Sequence, residues 1–141
     1  MTDQNWFEYL VRVQPHHTDY AGIVWHGTYI AWMEEARVEY LRSHQLDFAT
    51  WVEAGVDLPV VDLSLRYRQS LRLGEAALVR ARPELPKGVR ILWHYDIQNQ
   101  ETGETCVLAT VTLAPVDSQN RRILRRLPPQ FEAFLQSMTP E

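Results

Sequence analysis

Phe7, Tyr9, Val11 and Val13 alternate with Glu8, Leu10, Arg12 and Gln14, the period of two expected of a strand with one mostly buried face, and Pro15 ends it. From Thr28 the period lengthens. Tyr29, Trp32, Met33, Ala36 and Tyr40 recur at helical spacing, while Glu34, Glu35, Arg37, Glu39 and Arg42 take other faces, so a helix is predicted from about Thr28 to Ser43. Ile30, Val38 and Leu41 widen its aromatic stripe, which predicts a helix lying in the core, and Thr28 can serve as its own cap. Leu46 to Ala54 reads as a second short helix stopped by Gly55. Beyond Pro59 the strand period returns, with Val61, Leu63, Leu65 and Tyr67 facing one way and Asp62, Ser64, Arg66 and Arg68 the other. Glu75 to Arg82 is a weaker strand. Val89, Ile91, Trp93, Tyr95 and Ile97 then alternate with Arg90, Leu92, His94, Asp96 and Gln98. Asn99 to Glu104 supplies turn residues, so Thr105 to Ala114 should fold back as the second half of a hairpin. Asp117 to Asn120 is another turn, and Pro128-Pro129 followed by Phe131, Phe134, Leu135 and Met138 predicts a terminal amphipathic helix.

The order is strand, loop, long helix, then a run of strands. That is an α+β layout in which one antiparallel five-stranded sheet wraps a central helix. No repeat, low-complexity stretch or linker divides the chain, so residues 1–141 are expected to form one domain.

Composition narrows the picture. Hydrophobic residues at 45% and charged residues at 23% are ordinary globular usage and exclude a disordered chain. A formal charge of -4 provides no general attraction to nucleic acid. Cys106 is the only cysteine, so no intrachain disulfide forms and a reducing cytoplasm is the expected location. Met1 to Tyr9 carries Asp3 and Glu8 and lacks the basic and apolar regions of a secretion signal. No stretch approaches the roughly 18 uninterrupted apolar residues of a membrane span.

The segment that carries chemistry runs from His16 to Tyr29, joining the first strand to the long helix: His16-His17-Thr18-Asp19-Tyr20-Ala21-Gly22-Ile23-Val24-Trp25-His26-Gly27-Thr28-Tyr29. A helix N-terminus presents unpaired N–H groups and partial positive charge, a ready site for a developing oxyanion. A carboxylate aimed at that point has a reacting centre available. Gly22 and Gly27 suit such a loop, because glycine tolerates positive φ and close approach.

The run Asp19-x-x-Gly22-Ile23-Val24-x-His26-x-x-Tyr29, followed by Glu35-Ala36-Arg37-x-Glu39, resembles the hotdog-fold 4-hydroxybenzoyl-CoA thioesterase family, including the acyl-CoA thioesterase branch associated with the Tol-Pal system. The resemblance implies a hotdog fold and hydrolysis of an acyl-CoA, aromatic or fatty, to free acid and CoA without metal or organic cofactor. It implies that Asp19 acts on the thioester carbonyl, as nucleophile or as base for water, and that the backbone N–H of His26 helps hold the oxyanion. The His26 imidazole matches a histidine found in many members. The family pairs its subunits edge to edge, so a homodimer or homotetramer is implied, with acyl-CoA or an acyl carrier protein as partner.

Other readings of the same residues stand beside this one. Asp19 could be only a turn former. His16, His17 and Asp19 lack the spacing of a metal site, and none is expected. Glu34 and Glu35 are explained by a solvated face or an ion pair with Arg37. Cys106 reads as a structural thiol, having no local histidine base. The basic residues Arg121, Arg122, Arg125 and Arg126, with Lys87 and Arg90, could be solvated charge; of these, Lys87, Arg90 and Arg126 are the candidates to meet CoA phosphates. Trp25, Trp32, Trp51 and Trp93 either line an acyl pocket or fill the core. Two other functions remain: a hotdog hydratase, whose Asp/His pair normally lies in a different motif, and a non-catalytic module binding acyl thioesters or acyl carrier protein.

Overall fold

The computed structural model describes residues 6–138, apart from the side chains of Phe48, Leu85, Pro86, Lys87 and Met138. In chain order the elements are β1 (Phe7–Arg12), α1 (Thr28–Ser43), α2 (Phe48–Ala54), β2 (Val56–Asp57), β3 (Val60–Tyr67), β4 (Ala76–Lys87), β5 (Arg90–Asn99), β6 (Thr105–Leu113), β7 (Val116–Asp117) and α3 (Pro129–Met138). Five strands form one sheet in the order β1-β4-β5-β6-β3, each neighbour antiparallel, while β2 and β7 pair separately. The sheet wraps α1.

Side-chain size explains how closely the helix seats. On β4 the inward positions are Ala77, Val79 and Ala81, all fully buried, and the α1 residues Trp32, Met33 and Tyr40 fill the space these small side chains leave. Phe7 of β1 stacks on Tyr40 at 4.9 Å, and Trp93 of β5 meets the same ring edge-on at 5.5 Å. Burying such aromatic surface is worth roughly 2–3 kcal/mol per side chain, enough to outweigh the modest intrinsic preference of this sequence for helix. Two polar contacts then set the rotation of α1: Tyr9 donates to Glu35 Oε1 at 3.1 Å, and Arg37 Nη1 donates to the Tyr95 hydroxyl at 3.0 Å. Glu35 and Arg37 therefore tie the helix to the sheet and do not pair with each other as the sequence spacing suggested. At the other end of the core, α3 lays Phe131 flat against Trp51 of α2.

Several expectations need correction. Thr28 does not cap α1; Gly27 holds the cap position without a side-chain bond, and the Thr28 hydroxyl donates to the His17 carbonyl at 2.9 Å. Ile30 and Val38 stay open to solvent because α1 has only one sheet to pack against. β4 continues past Arg82 through Pro83. A proline is tolerated there because, among the described residues, β1 pairs with β4 only as far as Ala81, so no described strand needs the missing N–H on that edge. The alternation of β3 is genuine, yet only Leu65 of its apolar face is partly covered by the core, while Val60, Val61, Leu63 and Tyr67 are all exposed. It is an edge strand, and no element among the described residues covers its outer edge. The short β2–β7 pair was not foreseen, two residues being too few for a period. Met138, expected on the apolar face of α3, has a side chain outside the described residues.

Among the described residues no helix is long and apolar enough to cross a membrane. Cys106 is buried, and burial pushes its thiol above the usual range.

Candidate active site

The loop between β1 and α1 is ordered by its own short-range bonds. Pro15–His17 forms a 3-10 turn in which His17 Nδ1 accepts the Gln14 N–H at 2.9 Å. Thr18 and Val24 then form an antiparallel bridge, with a reversal between them closed by Asp19 N–H to the Ile23 carbonyl at 2.8 Å and Gly22 N–H to the Asp19 carbonyl at 3.0 Å. Gly22 sits at φ +81°, a conformation that favours glycine. The reversal is stitched to the segment before β4 by Val24 N–H to the Leu71 carbonyl and Leu73 N–H to the Gly22 carbonyl, each 2.9 Å.

Asp19 is exposed in the isolated chain, and its Oδ1 accepts the N–H groups of Ala21 at 2.9 Å and Ile23 at 3.1 Å. The turn-forming reading is thus realised by one carboxylate oxygen. Oδ2 accepts no hydrogen bond among the described residues. One oxygen holds the loop and the other is free.

The His17 carbonyl collects two donors, Trp25 N–H at 3.0 Å and the Thr28 hydroxyl at 2.9 Å, and so fixes where α1 begins. Burial, reinforced by the neighbouring His16, holds the His17 imidazole below its ordinary pKa, with Glu35 opposing. The neutral ring this favours is the form able to accept from Gln14.

At the helix tip, the N–H groups of His26, Gly27 and Tyr29 meet no acceptor among the described residues. They are the orphan donors that a helix N-terminus leaves, and Gly27 lacks the side-chain oxygen that would have taken one of them. The His26 carbonyl accepts from the Tyr67 hydroxyl at 3.1 Å. Gly27 has φ -74° and ψ -21°, open to any residue, so its need for glycine is steric and not conformational. A Cβ built there would overlap Cζ3 of Trp25 and lie 2.6 Å from Cη2. Beside the tip a hollow of about 270 Å³ is lined by Val24, His26, Tyr29, Tyr67, Arg68 and Ser70, with Gln69.

The profile of the thioesterase-like superfamily matches residues 13–137, which include this loop, α1 and every strand after it. The chain belongs to that family. A Synechocystis protein provisionally named an esterase is 51% identical over 132 residues, 94% of this chain and 80% of the relative. The Haemophilus influenzae acyl-CoA thioesterase YbgC is 32% identical over 116 residues, 80% of this chain and 82% of the relative. The DHNA-CoA thioesterase of Staphylococcus aureus superposes with a TM-score of 0.83 at 24% identity, covering 94% of this chain and 90% of that one. The sheet wrapped around α1 is the hotdog fold of these thioesterases.

Within this thioesterase-family fold, the residues singled out from sequence do not all come together. Asp19, Gly22, His26 and Gly27 share the loop. Arg90 opens β5, whereas the loop packs beside the segment that precedes β4, at the end of the sheet where β5 finishes. Nine residue steps of extended β5 put these ends about 30 Å apart. Lys87 pairs with Arg90 through the backbone at that far end, but its side chain lies outside the described residues. Arg126 is exposed in the segment leading to α3. Sequence reasoning passed over Tyr67, Arg68 and Ser70, which reach the loop only because β3 ends beside it; no local motif marks them. The tryptophans divide: Trp32 and Trp93 are 1% exposed and fill the core, Trp25 lies over Gly27, and Trp51 lines a second cavity of about 270 Å³ with Val38, Leu41, Leu46 and Leu58. His16, His17 and Asp19 do not form a cluster able to hold a metal, and no such group occurs among the described residues.

Proposed function

We propose that this chain is an acyl-CoA thioesterase, of the branch that includes 4-hydroxybenzoyl-CoA and Tol-Pal-associated thioesterases, acting through Asp19 and the tip of α1. The observation that carries the reading is the pairing, in one loop, of a carboxylate with a free Oδ2 and three unclaimed N–H groups at a helix N-terminus. Attack on a thioester carbonyl places negative charge on its oxygen. Donors already aimed at that point stabilise the charge without reorganisation, and losing one such donor costs roughly 3 to 4 kcal/mol of transition-state stabilisation. Oδ2 either takes a proton from the attacking water, giving the free acid directly, or attacks the carbonyl itself, giving an acyl–Asp19 anhydride that a water then hydrolyses to free acid and regenerated carboxylate; in both routes the C–S bond breaks and CoA leaves as thiolate. His26 contributes its N–H, and its imidazole, exposed to solvent, is assigned to the side of the leaving sulfur.

The working unit is a homodimer or homotetramer. Support comes from β3, an edge strand with unpaired backbone groups and exposed Val60, Val61 and Leu63, a surface that a soluble monomer would have to guard. Pairing two β3 edges would cover it and bring a second chain against the Asp19 loop, since Tyr67 already links β3 to that loop. Arg90 stands at the end of β5 away from the loop of its own chain, and contacts of Lys87, Arg90 and Arg126 with CoA phosphates are assigned to a neighbouring subunit's site. The chain works as one domain over 1–141, in the cytoplasm, on CoA thioesters or on acyl carrier protein.

A panel of aromatic and saturated fatty acyl-CoA thioesters, with acyl carrier protein thioesters alongside, tests the function by following free thiol with a chromogenic dye. Release of CoA from at least one thioester is expected. No release from any of them overturns the reading and leaves a binding module.

A further inference from the structure

We propose that Tyr67 is a positioning residue for hydrolysis: by donating to the His26 carbonyl, its hydroxyl sets the direction and the polarity of the Gly27 N–H that receives the carbonyl oxygen as it becomes negative. This rests on the thioesterase reading above. The peptide between His26 and Gly27 is planar, so its C=O and N–H point in opposite directions and cannot turn independently. Anchoring the oxygen therefore aims the hydrogen.

No other group performs this task. The flanking bonds, Thr28 N–H to the Trp25 carbonyl and the Thr28 hydroxyl to the His17 carbonyl, hold the residues on either side, but the His26 carbonyl has Tyr67 as its partner and no other donor among the described residues. The tie spans 41 residues of sequence, from a loop to a strand of the main sheet. Tyr67 is in turn aligned: its backbone pairs with Val107 of β6, and its ring meets Tyr29 edge-on at 5.8 Å, while the Tyr29 hydroxyl accepts the Leu71 N–H at 3.2 Å. A donor on the carbonyl also withdraws electron density from the peptide and makes the N–H a stronger donor, a cooperative gain of about 10–30% per bond. The hydroxyl matters to packing very little, because Tyr67 is 50% exposed.

Tyr67→Phe separates these roles. The expected result is a roughly tenfold fall in kcat with KM within about twofold, since the lost interaction strengthens only as charge develops. Thermal unfolding should be nearly unchanged. A second readout needs no turnover. An S-(2-oxoalkyl)-CoA thioether, whose ketone cannot be hydrolysed, carries its ¹³C=O into the site, and the infrared stretch of that carbonyl reports the strength of the N–H donors acting on it. In the wild type the stretch should move to lower frequency on binding, and in Tyr67→Phe that movement should shrink. A kcat within twofold of wild type, or an infrared shift identical in the two proteins, overturns the proposal. Asp19→Asn measured in parallel keeps the two claims apart: a fully active Asp19→Asn overturns the role of Asp19, whereas the ketone shift still decides Tyr67.

Discussion

Replacing Asp19 by asparagine removes charge and keeps shape, and the hydrogen bonds of the loop make this a clean perturbation. Oδ1 accepts from Ala21 and Ile23, and an asparagine Oδ1 can accept the same two bonds. Bonds to a charged acceptor contribute about 1.5–3 kcal/mol against 0.5–1.5 for a neutral one, so the two together should weaken by about 2–3 kcal/mol if buried, and by less at this exposed site. That is small beside the roughly 5–15 kcal/mol stabilising a domain, and the variant should fold with its melting temperature lowered by a few degrees. Chemistry should suffer far more. The amide nitrogen that replaces Oδ2 is a donor, able neither to take a proton from water nor to attack a carbonyl, and removing such a group typically costs 10² to 10⁴ in rate. A hundredfold loss corresponds to about 2.7 kcal/mol of barrier. Steady-state release of CoA gives kcat, and calorimetric titration with the same acyl-CoA should show affinity within about threefold of wild type. Asp19→Ala is the control, because it deletes the loop bonds as well and should lose stability in addition to rate. If Asp19→Asn retains kcat within tenfold of wild type, the carboxylate is a turn former only. If Asp19→Asn and Asp19→Ala lose rate only in step with their melting temperatures, the same conclusion follows.

Gly27→Ala should force the Trp25 indole off the loop and lower kcat about tenfold, and Trp25→Ala should partly restore it, a coupling of at least ~0.5 kcal/mol in a double-mutant cycle read by CoA release. Val60→Arg with Leu63→Arg should shift the sedimentation coefficient to that of a monomer and reduce activity; an unchanged coefficient would remove β3 as the contact between subunits. The pH response of the loop follows from His17, whose pKa is held below its ordinary value by burial. The folded state therefore favours the neutral ring, so its contribution is fully present above the unfolded pKa of about 6.5 and is lost as pH falls through the lower folded value. The protection factor of the Gln14 amide, exchange being corrected for its intrinsic pH dependence, should fall as His17 protonates below its ordinary pKa, and His17→Asn should abolish that fall. Phe131→Ala, deleting a fully buried ring stacked on Trp51, should destabilise by roughly 3–5 kcal/mol in urea unfolding without changing the rate of the folded fraction.

What could be read in advance followed the range of the interactions involved. α1 falls on Thr28–Ser43 as its helical spacing predicts, and β5 and β6 begin or end within a residue of their alternating runs, because period reports which local face is buried. The positive φ of Gly22 is a property of one tight reversal and was visible as a glycine in a loop. β4 was read too short because the cost of Pro83 depends on whether a neighbouring strand reaches it. The alternation of β3 marks a strand correctly but leaves its burial open, because alternation says that two faces differ, not that a partner covers either.

Residue order alone was therefore enough to determine the long helix and the five main strands, though not the full length of β4, together with the α+β class and the loop that joins a carboxylate to a helix start. The tertiary structure decided the rest. It laid the Trp25 ring against Gly27, sent Glu35 and Arg37 to separate partners on the sheet, brought Tyr67 onto the His26 carbonyl, and left Arg90 at the far end of a strand about 30 Å long. The physical reason is common to all of these. Periodicity and turn chemistry act over a few residues, whereas a contact across 41 positions exists only once strands have paired in register and the helix has seated between them.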